Sequence, residues 1–257
     1  MTCPVVIGIW AGSTAFLLVV VFIYYNTNVL NIYQRGKSFE ALQANYEKAY
    51  KRYEDLQQPA ILSVYADVDI YPDRREVMAA GRYEMMNRNA EPITEIHFTD
   101  PPGIKVNKLT LPPASLNYDE DLGYRIYTLD EPLAPGEAFI VEFEVAWLTP
   151  GFANSGHTRK LTSNGTFFNN SDLFPLLGYQ AGGELQDNNT RREQDLPPVE
   201  RALDLDDPKG RESVGAFSDS RVDFEAVVST VEGQIAIAPG YMQKDWQEDG
   251  RHYFHYK

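Results

Sequence analysis

A run of 22 residues without a charged side chain, Pro4–Tyr25, constrains this chain more than any other feature of its sequence. About 20 apolar residues in a helix, at 1.5 Å per residue, match the roughly 30 Å hydrocarbon core of a bilayer. A cleaved signal peptide is one alternative, but the run is too long and no basic segment precedes it. A buried core helix is the other. We therefore predict a transmembrane helix within residues 1–30.

The orientation of that helix does not follow from its flanks. Lysines and arginines follow it from Arg35 onward, which by the positive-inside rule favours a cytoplasmic domain. The rule compares two flanks, however, and the four residues MTCP before the run offer no contrast. Charge alone leaves the side of the membrane open.

Residues 31–58 are predicted to form an amphipathic connector that contains a helix. Between Ser38 and Gln57, apolar residues recur three and four positions apart, and Pro59 ends the pattern. These residues are Phe39, Leu42, Tyr46, Ala49, Tyr53 and Leu56. Such a stripe favours packing on the domain that follows. A coiled-coil seam is the alternative, although the pattern is shorter than three heptads.

After Pro59 the apolar period changes to two, which indicates β-strands in residues 59–257. Apolar residues alternate through Leu62–Ile70 and Phe139–Trp147, and the YPDR turn before EVMAAGRYEMMN predicts a hairpin. Shorter candidate strands lie at Ile93–Phe98, Val106–Leu111, Tyr124–Leu129, Val222–Ser229, Gln234–Ala238 and His252–Tyr256. The predicted fold class is mainly β: an antiparallel β-sandwich preceded by one transmembrane helix and a short amphipathic helix.

One polar stretch, Ala181–Ser220, has no clear period and exceeds the usual ceiling of about 15 residues for a structureless loop. Its length predicts a loop that is either functional or mobile. It contains the carboxylates of Asp204, Asp206 and Asp207, which suggest a calcium site. The DLDD sequence lacks the spacing and the glycine of a calcium loop, so solvated carboxylates are the favoured interpretation.

Composition and motifs exclude several function classes. The formal net charge is -14, which leaves no basic surface for phosphates, so nucleic-acid binding is not expected. The four histidines form no HExxH motif, and the sequence has no GxSxG, Walker or GxGxxG motif. No set of acid, base and nucleophile can be assembled. We therefore expect no metal site, no cofactor and no catalysis by this chain alone.

A series of short motifs extends from Asn26 to Lys257: NTNVLN, YEKAYKRYEDLQQP, VDIYP, LAPGE, NGTFFNNSDLFPLLGY, QIAIAPGYMQKDW and YFHYK. In this order they resemble a bacterial family in which an ABC transporter permease is fused to an aminopeptidase N-like zinc metallopeptidase. The resemblance covers nearly the whole chain. It implies the last transmembrane helix of the permease followed by the saddle-like N-terminal β domain of the peptidase.

The same resemblance implies what the chain does and where. The β domain would be extracytoplasmic (periplasmic), anchored in the cell membrane and non-catalytic. It would pack against a downstream catalytic domain, which would hold the zinc, and help to form the substrate cleft. Implied partners are the membrane, that peptidase domain, the permease with its ATPase subunits, and peptides. The alternative function is a free-standing membrane-anchored binding module or an accessory subunit of a transporter.

By this resemblance, NGTFFNNSDLFPLLGY is where relatives place an amide or acid side chain near the free amino group of the substrate. Asn169 and Asn170 are the matching positions, although the family usually has Gln or Glu there. A carboxamide oxygen can accept a hydrogen bond from an ammonium group. The residue types themselves favour a structural role, in which the amides form a turn and Pro175 stiffens it. The core would then be plugged by Phe167, Phe168, Leu173, Phe174 and Leu176.

Overall fold

The computed structural model describes residues 4–154, 160–199 and 221–257. The chain divides into two compact units. The first consists of Met1–Phe39 and Thr149–Arg159, and the second of Glu40–Leu148 and Lys160–Lys257.

The first unit is dominated by one long apolar helix. Helix α1 covers Pro4–Tyr24 and continues into a π-helical turn, Tyr25–Val29. Over Val6–Val29 it has a mean hydropathy of 2.4, and none of its most apolar 18-residue window is buried, although Asn26 and Thr27 at its end are. Among the residues that the structure describes, this is the one helix long and apolar enough to cross a membrane.

Helix α2 covers Gly36–Tyr50 and passes into a 3₁₀ turn at Lys51–Tyr53. Its buried residues include Tyr46, whose ring stacks on Tyr179 at 5.0 Å. The ends of the predicted stripe differ from expectation, because Phe39 and Leu56 are exposed. For Leu56 the tighter 3₁₀ turn that precedes it changes the angular spacing of side chains, so the stripe cannot continue along one face to that residue.

The described residues of the second unit form eleven strands in two sheets, which confirms the predicted mainly β fold. The larger sheet is built from β1 (Ala60–Tyr71), β2 (Glu76–Met86), β4 (Ile104–Thr110), β7 (Ala138–Leu148), β9 (Asp223–Val231), β10 (Met242–Glu248) and β11 (Arg251–Tyr256). Their order is β10-β11-β9-β1-β2-β7-β4. Strands β1 and β9 are parallel, with Ser63 opposite Asp223, and the other neighbours are antiparallel.

The smaller sheet has four strands in the order β5-β6-β3-β8. These are β3 (Ile93–Thr99), β5 (Ala114–Asp119), β6 (Tyr124–Leu133) and the two-residue β8 (Leu176–Leu177). Buried side chains of both sheets form one continuous core, in which Val64 and Phe143 of the larger sheet join Phe98 of the smaller one. The period-two pattern of the sequence therefore arises from a shared interior.

One glycine in this core is required by close packing. A Cβ atom at Gly81 would lie 2.5 Å from Cζ of Phe143 and 2.6 Å from the carbonyl oxygen of Tyr65. Strand β2 therefore crosses between its neighbours at a point where no side chain fits.

One predicted strand is not observed, and two observed strands were not predicted. Gln234–Ala238 is extended but belongs to no strand, whereas β5 and β10 were not expected. Both β5 and β10 lie at the edge of their sheets and are mostly exposed. Edge strands need no buried face, and β10 lacks apolar alternation; β5 does alternate Ala114, Leu116 and Tyr118 with polar residues, but over six residues only.

The described part of the polar stretch after Ala181 is folded. It contains helix α4 (Asn188–Glu193), whose Asp187 cap accepts from the backbone N–H groups of Asn189 and Thr190. Arg191 of this helix is buried and forms an ion pair with Glu47 of α2, at 2.6 Å. The carboxylates of Asp204, Asp206 and Asp207, considered above for calcium, lie outside the described residues.

Candidate functional site

Within Asn164–Gln180, a single helical turn is fixed by reciprocal hydrogen bonds. Helix α3 covers Asn170–Leu173. The Asp172 carboxylate accepts from the Asn169 backbone N–H at 2.9 Å and lies 2.6 Å from the Lys160 ammonium. Burial works to raise the pKa of Asp172, but these two donors outweigh it, so the pKa lies below its ordinary value. The turn is thus held by a charged carboxylate at neutral pH.

The sequence predicts that apolar residues of this segment are buried in the core, and this prediction is correct for Leu173 and Phe174 but wrong for Phe167. Leu173 is fully buried and Phe174 is 3% exposed, with its ring 5.1 Å from that of Phe143. Phe168 packs partly against the core. Phe167 is 74% exposed, because it precedes the turn and belongs to the exposed loop. The segment therefore anchors one end in the core and presents the other to solvent.

The two candidate amides, Asn169 and Asn170, have different surroundings in the structure. Both Asn169 and Asn170 are exposed, but only Asn170 lines an adjacent cleft of about 400 Å³. The walls of that cleft are mainly apolar and come from β1, β2, β9 and the residues after α3. One wall is fixed by the buried Tyr83 hydroxyl, which donates to the Pro175 carbonyl at 3.0 Å. Asn170 is therefore better placed than Asn169 to reach a group bound in the cleft.

Beside the cleft, the segment Gln234–Met242 carries large apolar side chains on its outside. Ile235, Ile237 and Tyr241 are 76%, 84% and 85% exposed, and Met242 is also exposed. We call these four residues the apolar ridge. The small Ala236 between the isoleucines is buried instead. A segment that turns alanine inward and isoleucine outward is typical of a surface that another apolar surface covers.

The first part of the ridge is held in place by two hydrogen bonds. The Gln234 side chain donates to the Ser163 carbonyl at 2.9 Å, and the Tyr256 hydroxyl donates to the Ala236 carbonyl, also at 2.9 Å. Between the ridge residues, Pro239 lines the cleft that contains Asn170. The ridge and the cleft are thus neighbours on one surface. The sequence predicted an extended segment here but could not indicate which alternate residues face outward.

A larger groove, of about 700 Å³, adjoins this cleft and shares Val64, Val222, Phe224 and Pro239 with it. Several of its charged residues have partners within the sheet: Arg82 lies over the Tyr65 ring, and Glu225 contacts both His255 and Lys257. The groove does not include Asn169 or Asn170.

The histidines described by the structure have structural surroundings. His97 is buried, with Nδ1 at 2.9 Å from the Tyr124 hydroxyl, and burial lowers its pKa. His252 and His255 contact Asp245 and Glu225. No group of three or more His, Cys, Asp or Glu side chains that could hold a metal ion occurs in residues 4–154, 160–199 or 221–257. The described residues therefore do not fit a zinc site.

Comparison with solved structures finds similarity to a class of enzymes, the M1 zinc metallopeptidases. A mutant enzyme from Deinococcus radiodurans bound to a Tyr-Ser-Ala substrate matches with a TM-score of 0.46 and 14% identity, over 78% of this chain and 39% of that one. The M1 zinc metallopeptidase from the same organism matches with a TM-score of 0.44, 14% identity and the same coverage. A two-domain M1 zinc metallopeptidase mutant bound to L-arginine matches with a TM-score of 0.46 and 12% identity.

The present chain spans about two fifths of the length of those structures. No protein-family model and no curated protein matches the sequence.

Proposed function

We propose that this chain is a membrane-anchored, non-catalytic N-terminal β domain of an aminopeptidase-like zinc metallopeptidase that is fused to an ABC permease. In this function the β domain packs against the zinc-binding catalytic domain and forms part of the wall of its substrate cleft. The domain lies on the extracytoplasmic side of a bacterial cell membrane. Helix α1 is the anchor, since Val6–Val29 has the length and hydropathy of a span.

The apolar ridge is the observation that carries this proposal. Fully burying an isoleucine side chain stabilises an interface by about 1.5–3 kcal/mol, so leaving Ile235 and Ile237 in water forgoes a large stabilisation. Both are positioned rigidly, because Ala236 between them is buried and hydrogen-bonded through its carbonyl to Tyr256. A rigid apolar surface needs little ordering when a partner covers it. A folded domain is therefore a more suitable partner than a small ligand.

The amide of Asn170 supplies the polar part of the proposed cleft wall. It lies at the border of an apolar cleft, next to the ridge, on a turn that Asp172 and Lys160 fix. A carboxamide oxygen in this place can accept a hydrogen bond from the free amino group of a peptide. Asn169, on the exposed side of the same turn, is the second candidate for this contact.

The zinc in this proposal belongs to the partner domain. The described residues of this chain provide no ligand set for it. The contribution of this chain is therefore to bind and to orient, and the hydrolytic step is carried out by the domain that it covers.

The first test is the mass of the native protein in its source membranes, detected with an antibody raised against residues 60–257. We expect a species several times larger than 29.1 kDa, with bound zinc and aminopeptidase activity in the purified material. A zinc-free species near 29.1 kDa would contradict the proposal. It would support the alternative, a free-standing membrane-anchored binding module or accessory transporter subunit.

The second test asks whether the ridge contacts the catalytic domain in that larger species. The double substitution Ile235→Ser with Ile237→Ser should separate the domains, which limited proteolysis would detect as faster cleavage between them. The matched control is Ile140→Ser, which removes an isoleucine that is 55% exposed on the seven-stranded sheet. Equal proteolysis of both variants would show that the ridge is not the contact.

A further inference from the structure

In the first unit, the loop Thr149–Asn154 contacts the last turns of the apolar helix. The Phe152 ring lies 5.8 Å from the Phe22 ring, measured between centroids. The Asn31 side chain donates to the Pro150 carbonyl at 2.8 Å. The loop is therefore attached to the helix by an aromatic contact on one side and a hydrogen bond on the other.

Two further contacts fix the position of the loop against the helix. The Asn154 carboxamide oxygen accepts from the Gln34 backbone N–H at 3.0 Å. Gly151 has φ +57, and a Cβ atom on it would lie 2.1 Å from Oδ1 of Asn26. Glycine alone combines this backbone conformation with so close an approach, so the loop and the helix fit one another closely.

The position of Phe22 along the helix determines the depth of the loop in a membrane. Phe22 is seven residues before Val29, the last residue of the candidate span, which is about 10 Å at 1.5 Å per residue. A span of 24 residues is about 36 Å long and exceeds a 30 Å hydrocarbon core by about 3 Å at each end. Phe22 then lies roughly 7 Å inside the hydrocarbon boundary.

The Phe152 ring cannot be far from that depth. Even if its full 5.8 Å separation from Phe22 pointed outward along the membrane normal, the ring would lie within about 2 Å of the boundary. Placing the boundary at Tyr25 instead leaves Phe22 about 4.5 Å inside it, so the Phe152 ring would lie at most about 1 Å beyond the boundary, within the interfacial layer, which is some 5–7 Å thick. Both placements bring Phe152 to the lipid.

The side chains of the helix and the loop are compatible with a position at that depth in a membrane. Neither Pro4–Gln34 nor Thr149–Asn154 contains a charged residue. The polar side chains at the end of the helix bond to its own carbonyls: Asn26 to Phe22 at 2.8 Å, and Thr27 to Ile23 at 2.9 Å. These donors therefore need no water.

We infer that the loop Thr149–Asn154 forms a second contact with the membrane, in which the Phe152 ring lies in the interfacial layer of the phospholipid beside helix α1. The inference rests on the proposed membrane anchoring, and it adds a lipid-binding surface to it. The exposed apolar side chains of Ile32 and Tyr33, which follow the helix, extend the same surface. Aromatic residues at this depth are typical of membrane interfaces.

The test uses the full chain reconstituted into phosphatidylcholine vesicles, with single cysteines labelled by an environment-sensitive fluorophore. Cys3 is first replaced by serine. Phe152→Cys reports on the loop, and Val20→Cys reports on the span itself. Lipids carry a nitroxide quencher either near the headgroup or near the bilayer centre, and iodide is the quencher in water.

We expect the label at position 20 to be quenched most by the deep nitroxide, and the label at 152 to be quenched most by the shallow one and protected from iodide. A label at 152 that iodide quenches freely, while position 20 is quenched by the deep nitroxide, would overturn the inference and leave the anchoring intact. If position 20 is not quenched by lipid either, the anchoring fails, and the inference fails with it.

Two more variants keep the test independent of labelling and folding. Phe152→Trp retains an aromatic ring, and its added fluorescence should be quenched by brominated lipid. Gly151→Val should move the label at position 152 out of the lipid, because the added side chain would collide with Asn26 and displace the loop from the helix. The matched control is Gly103→Val, at a glycine with φ +78 and no atom within 4 Å of a Cβ, which should leave the quenching at 152 unchanged.

Discussion

Replacing Arg191 with methionine should destabilise the second unit strongly, because it leaves the Glu47 carboxylate buried without a partner. The Arg191 guanidinium donates to both carboxylate oxygens of Glu47, at 2.6 and 2.8 Å, and to the Leu185 carbonyl at 2.6 Å. The two side chains are only 3% and 2% exposed. This pair connects α4 to α2, so its loss affects two elements.

The expected magnitude follows from burial. Removing one partner of a buried ion pair costs about 3–5 kcal/mol in the free energy of unfolding. At about 2–4 °C per kcal/mol for a domain of 150–250 residues, the melting temperature should fall by roughly 6–20 °C. Replacing both residues, as Glu47→Leu with Arg191→Met, removes both charges. Much of the stability should then return, since apolar replacement of a buried pair is often neutral.

The assay is thermal unfolding of the full chain in detergent, followed by near-ultraviolet circular dichroism. The control is Lys108→Met, which breaks a 2.9 Å ion pair with Glu142 that is exposed on both sides and should change the melting temperature little. An unchanged melting temperature for Arg191→Met would refute the reasoning. A double variant as unstable as the single one would show that the guanidinium acts mainly through its hydrogen bonds to the carbonyls of Leu185 and Pro197.

Three further changes test other parts of the structure. Phe174→Ala should lower the free energy of unfolding by about 3–5 kcal/mol in a denaturant titration, whereas Phe167→Ala, at an exposed site, should change it little. Burial lowers the pKa of His97 below 6.5, so the unfolded chain binds this proton more readily and stability should fall as the pH decreases from about 7 to 5; His97→Gln should flatten that dependence. Ile235→Ser with Ile237→Ser should leave the melting temperature of this chain nearly unchanged and reduce its self-association in light scattering, because both side chains are in water.

The sequence predicted the central strands well and missed two edge strands, β5 and β10, for a physical reason. β1 and β7 bury one face each, so their apolar residues alternate, whereas β5 and β10 are edge strands without a buried face. The pairing of Glu47 with Arg191 could not be predicted, because the two residues are 144 positions apart and both occur in stretches rich in other charges.

The candidate site shows the same division between local and long-range information. The burial of Phe174 follows from its apolar neighbours in sequence. The position of Asn170 at a cleft does not, because strands β1 and β9 and Pro239 supply the walls. Likewise, alternation in IAIA predicts an extended segment, but which face is outward depends on Tyr256, which reaches Ala236 from a later strand.

The parallel pairing of β1 with β9 has a consequence for biosynthesis. Ser63 pairs with Asp223, so one edge of β1 lacks its neighbour until 160 more residues have been translated. At about 5–20 residues per second, that interval is roughly 8–30 s. Throughout it, the nascent hairpin of β1 and β2 exposes unpaired backbone groups and an apolar face, which is the arrangement that other chains extend into aggregates. Products truncated before Asp223 should therefore precipitate or remain bound to chaperones, and they should not form a smaller stable domain.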